Sequence, residues 1–136
     1  MFIGPDLKRI KTLGLIAGGS GITPMYQMIK AIVNDPKDQT KITLLYANKT
    51  EQDILLKKEM KGLQTKKPFI WRNTLEQVPA GWTDYQGFIT KDMLKTLFPN
   101  PNPEALICLC GPQPMNKMVL DTLMSMGYST TNLFKF

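Results

Sequence analysis

Two short runs in this 136-residue sequence carry the residue types most able to do chemistry. Gly18-Gly19-Ser20-Gly21-Ile22-Thr23-Pro24 places three glycines and two hydroxyls just ahead of a segment with helical periodicity. Glycines let a ligand approach the main chain closely. The free N–H groups at the start of a helix, with its dipole, favour a phosphate. Pro24 suits the first turn of such a helix, where a missing N–H costs nothing. The blander reading of this run is a tight glycine turn with no ligand. The second run is Cys110-Gly111-Pro112-Gln113-Pro114-Met115. It sets a thiol at the end of an apolar stretch and follows it with a glycine and two prolines, a stiff floor. No Lys, Arg or His adjoins Cys110 in sequence to activate it, so a small buried hydrophobe is the alternative to a functional thiol.

What these runs exclude is equally specific. The chain has no histidine, so Ser-His-Asp and Cys-His catalysis and His-ligated zinc are ruled out within it. The glycine run lacks the Lys of a nucleoside-triphosphate loop. Pro24 stands where the common dinucleotide fingerprint wants a third glycine. After the second apolar run the chain reads Tyr46-Ala47-Asn48-Lys49, with no acid to take a ribose diol. Ser20 is not centred in a hydrolase elbow. Cys108 and Cys110 sit two apart, which suits neither a disulfide nor, without two further ligands, a metal.

These runs need elements to hold them. Leu13 to Ala17 is a short apolar run that predicts a buried strand. Met25, Met28, Ile29, Ile32 and Val33 recur at helical spacing, and Asn34 and Pro36 stop that helix. Ile42 to Ala47 predicts a second strand. Thr50, with Asp53 three residues on, predicts the cap of a second helix. Pro68 to Thr74 predicts a third strand, followed by a loop with Pro79, Gly81 and Gly87. Thr90 opens a short helix that ends before Pro99. Ala105 to Cys110 predicts the fourth strand. Met115, Met118, Val119, Leu123 and Met126 predict a helix stopped by Gly127, and Asn132 to Phe136 a final strand. The alternation predicts an α/β domain: a doubly wound, mostly parallel five-stranded sheet with helices on both faces. Ligands of such sheets bind beyond the carboxyl ends of the strands, where strand order reverses. Both runs fall after strands, at loops of that kind.

Composition sets the outer bounds. With 43% hydrophobic and 21% charged residues, the chain reads as one ordinary globular domain. Lys and Arg total 17 against 11 Asp and Glu, which permits acidic partners or phosphate ligands. The dense patch at Lys57, Lys58, Lys61, Lys66 and Lys67 reads as a solvated helix face. No recognised nucleic-acid motif is present, so no nucleic-acid partner is expected. Two cysteines fit a reducing compartment, and the expected location is the cytoplasm. No stretch reaches the roughly 18 apolar residues that span a bilayer. Met1 to Thr12 is too polar and basic for a signal peptide. A monomer is the default expectation.

The two runs together resemble the pyridine-nucleotide lobe of the ferredoxin-reductase-like flavoenzymes. Ile16 to Met25 and Cys110 to Met115 carry the likeness, which is nearest to the NADH-cytochrome b5 reductases. Leu45 to Leu56, Gly87-Phe88 and Leu133-Phe134-Lys135-Phe136 agree with it. The resemblance covers 13–136, read as an NAD-binding domain. Residues 1–12 would be a junction left from a preceding FAD-binding lobe, whose Arg-x-Tyr motif this chain does not contain.

The resemblance implies roles. Gly18, Gly19, Ser20 and Gly21 would hold the pyrophosphate and ribose side of the dinucleotide. Thr23 and Pro24 would face the flavin and nicotinamide. Cys110, Gly111, Pro112, Pro114 and Met115 would border the nicotinamide, which makes Thr23 and Cys110 the expected catalytic residues. Ala47 and Asn48 would line the cleft, with Lys49 where these reductases often carry glutamine. Phe88 would pack near the adenine, and Phe136 would end near the flavin. Glu76 stands where they commonly carry aspartate, an acid that disfavours the extra phosphate of NADPH. The implied cofactors are NADH, preferred over NADPH, and FAD held mainly by the other lobe. The implied acceptor is cytochrome b5 or a similar haem protein, steered by Lys8, Arg9 and Lys11. The lobe alone is expected to catalyse nothing. The alternatives are the same lobe in a nitrate reductase or another electron-transfer flavoprotein, or a nucleotide-binding domain without activity.

Overall fold

A computed structural model describes residues 10–136. The central apolar run forms β1 (Thr12–Gly18), buried on both sides, and leads into α1 (Ile22–Val33). There follow β2 (Lys41–Asn48), α2 (Lys57–Lys66), β3 (Ile70–Leu75), β4 (Tyr85–Gln86) and α3 (Lys91–Leu97). The chain then returns across the sheet to β5 (Ala105–Cys110), α4 (Gln113–Ser125) and β6 (Leu133–Lys135). All paired strands are parallel, in the order β4-β3-β2-β1-β5-β6. Strand order therefore reverses between β1 and β5.

Alternation along the strands divides the core into two. Leu13, Leu15 and Ala17 of β1 pack with Leu44, Cys108 and the buried sides of α1 and α2. Ile16, Leu45, Ile107 and Leu109 pack on the other face with Met93 and Leu94 of α3 and Val119 and Leu123 of α4. Each such buried aliphatic side chain contributes about 1.5–3 kcal/mol. Helices cover both faces, which is why β1 and β5 read as unbroken apolar runs. Among the described residues, no helix is long and apolar enough to cross a membrane.

The structure corrects several expectations. The sheet has six strands, not five: Tyr85–Gln86 adds one beside β3. Its two residues are too short for periodicity to register. The third strand starts at Ile70 rather than Pro68, whose ring nitrogen has no proton to donate. Thr50 does not cap α2. The Asp53 carboxylate accepts from the Thr50 N–H at 3.0 Å and the Thr50 hydroxyl at 2.9 Å, closing a separate turn, Glu51–Asp53. α2 starts only after Leu56, in a left-handed backbone conformation. Lys67 departs from the solvated face: its Nζ donates to the carbonyls of Ile32, Asp35 and Asp38 at 2.7–3.0 Å. It thereby ties the last turn of α1 to the loop that follows it, adding a charged donor to carbonyls at the negative end of the helix. Of the junction expected at 1–12, the stretch 1–9, with Lys8 and Arg9, lies outside the described residues.

Candidate functional site

The two runs meet at the strand reversal. The first forms a short turn, Gly19–Gly21, that passes directly into α1. No side chain caps the turn or the start of α1 and no acid lies in the first turn of either, so no carboxylate there opposes an anion, although the Ile22 N–H is itself taken by the Gly19 carbonyl. Gly19 has φ +56°, a conformation that favours glycine. Close approach explains Gly21: a side chain there would collide with the Cys110 carbonyl, and the Cys110 Sγ lies alongside. A Cβ on Gly18 would meet Met115 Sδ at 2.9 Å and Pro112 Cδ at 3.1 Å, and one on Gly111 would run into Met115. The turns after β1 and β5 are thus packed against each other, and the glycines make that possible.

Beside them opens a cleft of about 920 Å³, within the size range of small-molecule sites. Gly18, Gly19 and Ser20 form one side of it, Pro112, Pro114 and Met115 another. Ala47, Asn48, Glu76 and Phe88 close it from β2 and from the loops after β3 and β4. Phe88 stands 73% exposed. Its loop is held by the Thr74 hydroxyl, which donates to the Gly87 carbonyl at 2.6 Å, and by the Gly87 N–H on the Leu75 carbonyl at 2.8 Å.

Asn48 is the most informative residue here. It is 7% exposed, and neither its amide nitrogen nor its amide oxygen has a hydrogen-bond partner. A buried polar group left unpaired costs about 1–3 kcal/mol. Such a group in the wall of a cleft points to a polar ligand.

The remaining expected residues fall elsewhere. Gly21, Thr23, Pro24, Cys110, Gly111 and Phe136 do not line this cleft. Thr23 is exposed on the first turn of α1. The Phe136 N–H donates to the Leu109 carbonyl at 3.0 Å, which brings the terminal residue to the end of β5. There it meets Phe134 edge-on, ring centres 4.9 Å apart. Both cysteines are free; burial pushes the Cys108 thiol up to about 12, while Cys110 is half-buried at the strand's end. The expected residues therefore separate: some line the cleft, Gly21, Cys110, Gly111 and Phe136 gather at the end of β5 on its rim, and Thr23 and Pro24 follow in the first turn of α1.

The cleft also holds residues to which the sequence assigned no site role: Gln52, Asp53, Leu55, Gly87, Ile89 and Met118, with Lys49 beside them. Met118 had a usable signal, lying one helical turn after Met115. Leu55 had a weaker one, as an apolar residue just ahead of a lysine-rich helix. It is 47% exposed, facing a cleft rather than a core.

A three-layer α/β sheet with a phosphate-type turn and a cleft at its strand reversal defines a nucleotide-binding domain of the doubly wound class. Residues 15–121 match the model of the oxidoreductase NAD-binding domain, and the chain belongs to that family. It is 43% identical over 127 residues to NADH-cytochrome b5 reductase 1 of Dictyostelium discoideum, covering 93% of this chain and 44% of that protein. It superposes with a TM-score of 0.88 on the crystal structure of the cytochrome b5 reductase domain of Ulva prolifera nitrate reductase. There the identity is 40%, over 93% of this chain and 49% of the other. The ferredoxin-NADP+ reductase of Plasmodium falciparum shares the fold, at 22% identity and a TM-score of 0.76, over 98% of this chain and 56% of that one. The expected ferredoxin-reductase-like fold and likeness to NADH-cytochrome b5 reductases are borne out. The chain spans less than half the length of the Dictyostelium relative.

Proposed function

We propose that this chain is the NADH-binding half of a flavin-dependent reductase that passes hydride from NADH to FAD and electrons onward to cytochrome b5. The unpaired amide of Asn48, buried at the end of β2 in the wall of the cleft beside the two interlocked turns, carries the reading. The hydride chemistry itself is supplied by nicotinamide and flavin. The chain's own residues bind and orient. Gly18, Gly19, Ser20 and Gly21 offer main-chain N–H groups and the start of α1 to the pyrophosphate. Ala47 and Asn48 line the ribose side, and Phe88 gives the adenine an exposed aromatic face. Gly111, Pro112, Pro114 and Met115 border the nicotinamide. Thr23, Pro24, Cys110 and Phe136, on the rim rather than in the cleft, face the flavin lobe. Glu76, exposed at the cleft edge, repels the extra ribose phosphate of NADPH and favours NADH.

The test divides binding from turnover. The 136-residue chain should bind ADP-ribose in a calorimeter yet reduce no ferricyanide with NADH, with or without added FAD. The same domain joined to its flavin lobe should turn over and reduce cytochrome b5. Turnover by the 136-residue chain alone would overturn this division of labour. A second reading, the same domain in a nitrate reductase, is favoured by the likeness to the Ulva domain. Nitrate-dependent oxidation of NADH by the full-length protein distinguishes the two.

A further inference from the structure

One hydroxyl touches both sides of the cleft. Tyr46 lies in β2 at 1% exposure, its ring packed in the core beneath α1. Its hydroxyl donates to the Gly19 carbonyl at 2.7 Å and accepts the Leu55 N–H at a longer 3.3 Å. Both partners line the cleft, and neither sits in a strand or an α-helix. Unusual backbone occurs at Gly19 itself and at the residue after Leu55. Gly19 has φ +56° and Leu56, next to Leu55, has φ +57°. Leu56 is the one non-glycine residue with positive φ among the described residues. A bulky side chain adopts that conformation only where its surroundings hold it.

The geometry of each bond has a consequence for the ligand side. The peptide between Gly19 and Ser20 is planar and trans, so its carbonyl and its N–H point in opposite directions. With the Gly19 carbonyl turned inward onto Tyr46, the Ser20 N–H is turned outward. On the other side, the Leu55 N–H is held inward while its side chain stands in the cleft wall. A tyrosine serving only the core needs one partner for its hydroxyl; this one joins two separate loops.

We propose that Tyr46 is a positioning residue for the dinucleotide: its hydroxyl fixes the glycine turn relative to the Leu55 wall and so sets the grip on the pyrophosphate. The assignment rests on the nucleotide reading given above. Tyr46→Phe keeps the ring and removes both bonds, a loss the size of one to two net hydrogen bonds. In the 136-residue chain it should weaken ADP-ribose binding about fivefold and leave adenosine, which has no phosphate, within about twofold. Hydrogen exchange should quicken at the Leu55 amide and stay unchanged at Leu44 and Leu45 in β2. In the full-length enzyme, KM for NADH should rise while kcat stays within about twofold. Leu55→Ala, at an exposed position, should also weaken ADP-ribose binding. Combined with Tyr46→Phe its effect should be less than additive, because one variant already loosens the wall the other truncates. Equal ADP-ribose affinity in wild type and Tyr46→Phe, strictly additive effects, or loss of protection throughout β2 would each overturn the proposal. Failure of the wild-type chain to bind ADP-ribose would overturn the nucleotide reading and this assignment with it.

Discussion

At the scale of single residues, the cleft keeps a polar group unpaired at a cost in stability. Asn48 keeps an unpaired amide out of solvent. Asn48→Leu should therefore hold or raise the melting temperature, since it removes a penalty of about 1–3 kcal/mol, while ADP-ribose affinity falls about tenfold. Calorimetry in both modes, scanning and titration, checks this pair of outcomes; a variant that loses stability instead would mean the amide is satisfied. Glu76 is exposed, so the selectivity proposed for it is screened by salt. Glu76→Ser in the full-length enzyme should lower the NADH/NADPH ratio of kcat/KM by about tenfold at low salt. An unchanged ratio removes Glu76 from the selectivity argument.

At the scale of elements, the packing of two turns decides the site. Gly21 stands against the Cys110 carbonyl, and neither backbone can retreat without moving a central strand or the start of α1. Gly21→Ala should destabilise by about 1–3 kcal/mol and shift the thermal midpoint down by several degrees. Gly62, exposed in α2 with open space around it, is the control, and Gly62→Ala should raise the midpoint slightly. Circular dichroism melts of the two variants read the contrast. The elements themselves were largely legible. Apolar runs gave β1, β2 and β5, and the Thr90 cap of α3 is present, its hydroxyl accepting from the Met93 N–H at 3.2 Å. The start of α2 was not legible. Thr50 and Asp53 make a capping pair by sequence, but nothing in that pair says that the helix must wait for a left-handed Leu56.

At the scale of the whole molecule, both faces of the sheet are sealed by helices, and ionisable groups are sealed in with them. Burial pushes the Cys108 thiol from 9.0 up to about 12, and it raises the hydroxyls of Tyr46 and Tyr128 above their usual 10.0. Below pH 9 the Cys108 thiol is protonated in both folded and unfolded chains and has no effect on pH dependence. Above it, the unfolded chain loses the proton and the folded chain does not, so stability falls as pH rises toward 12. The limiting slope for one such group is about 1.4 kcal/mol per pH unit. Urea midpoints measured at pH 8 and pH 10.5 should show this decline, and Cys108→Ala should flatten it. The same burial leaves Cys110 as the one thiol at the strand's end, so a thiol reagent at pH 8 should label it first.

The sequence by itself determined the alternation of strands and helices, the two glycine turns and their place after buried strands. Those features are local: periodicity of two or 3.6, a glycine that admits a close approach, a proline that cannot donate. Tertiary structure decided what depends on residues far apart in the chain meeting in space. It added β4 through a two-residue pairing with β3, turned Lys67 from a surface charge into a support for the end of α1, and sorted the expected site residues into cleft and rim. It also brought the Tyr46 hydroxyl within reach of Gly19, 27 residues away, and Leu55, nine away. No spacing rule links those three residues, because only the pairing of β1 with β2 and the loops beyond their carboxyl ends put them on one oxygen.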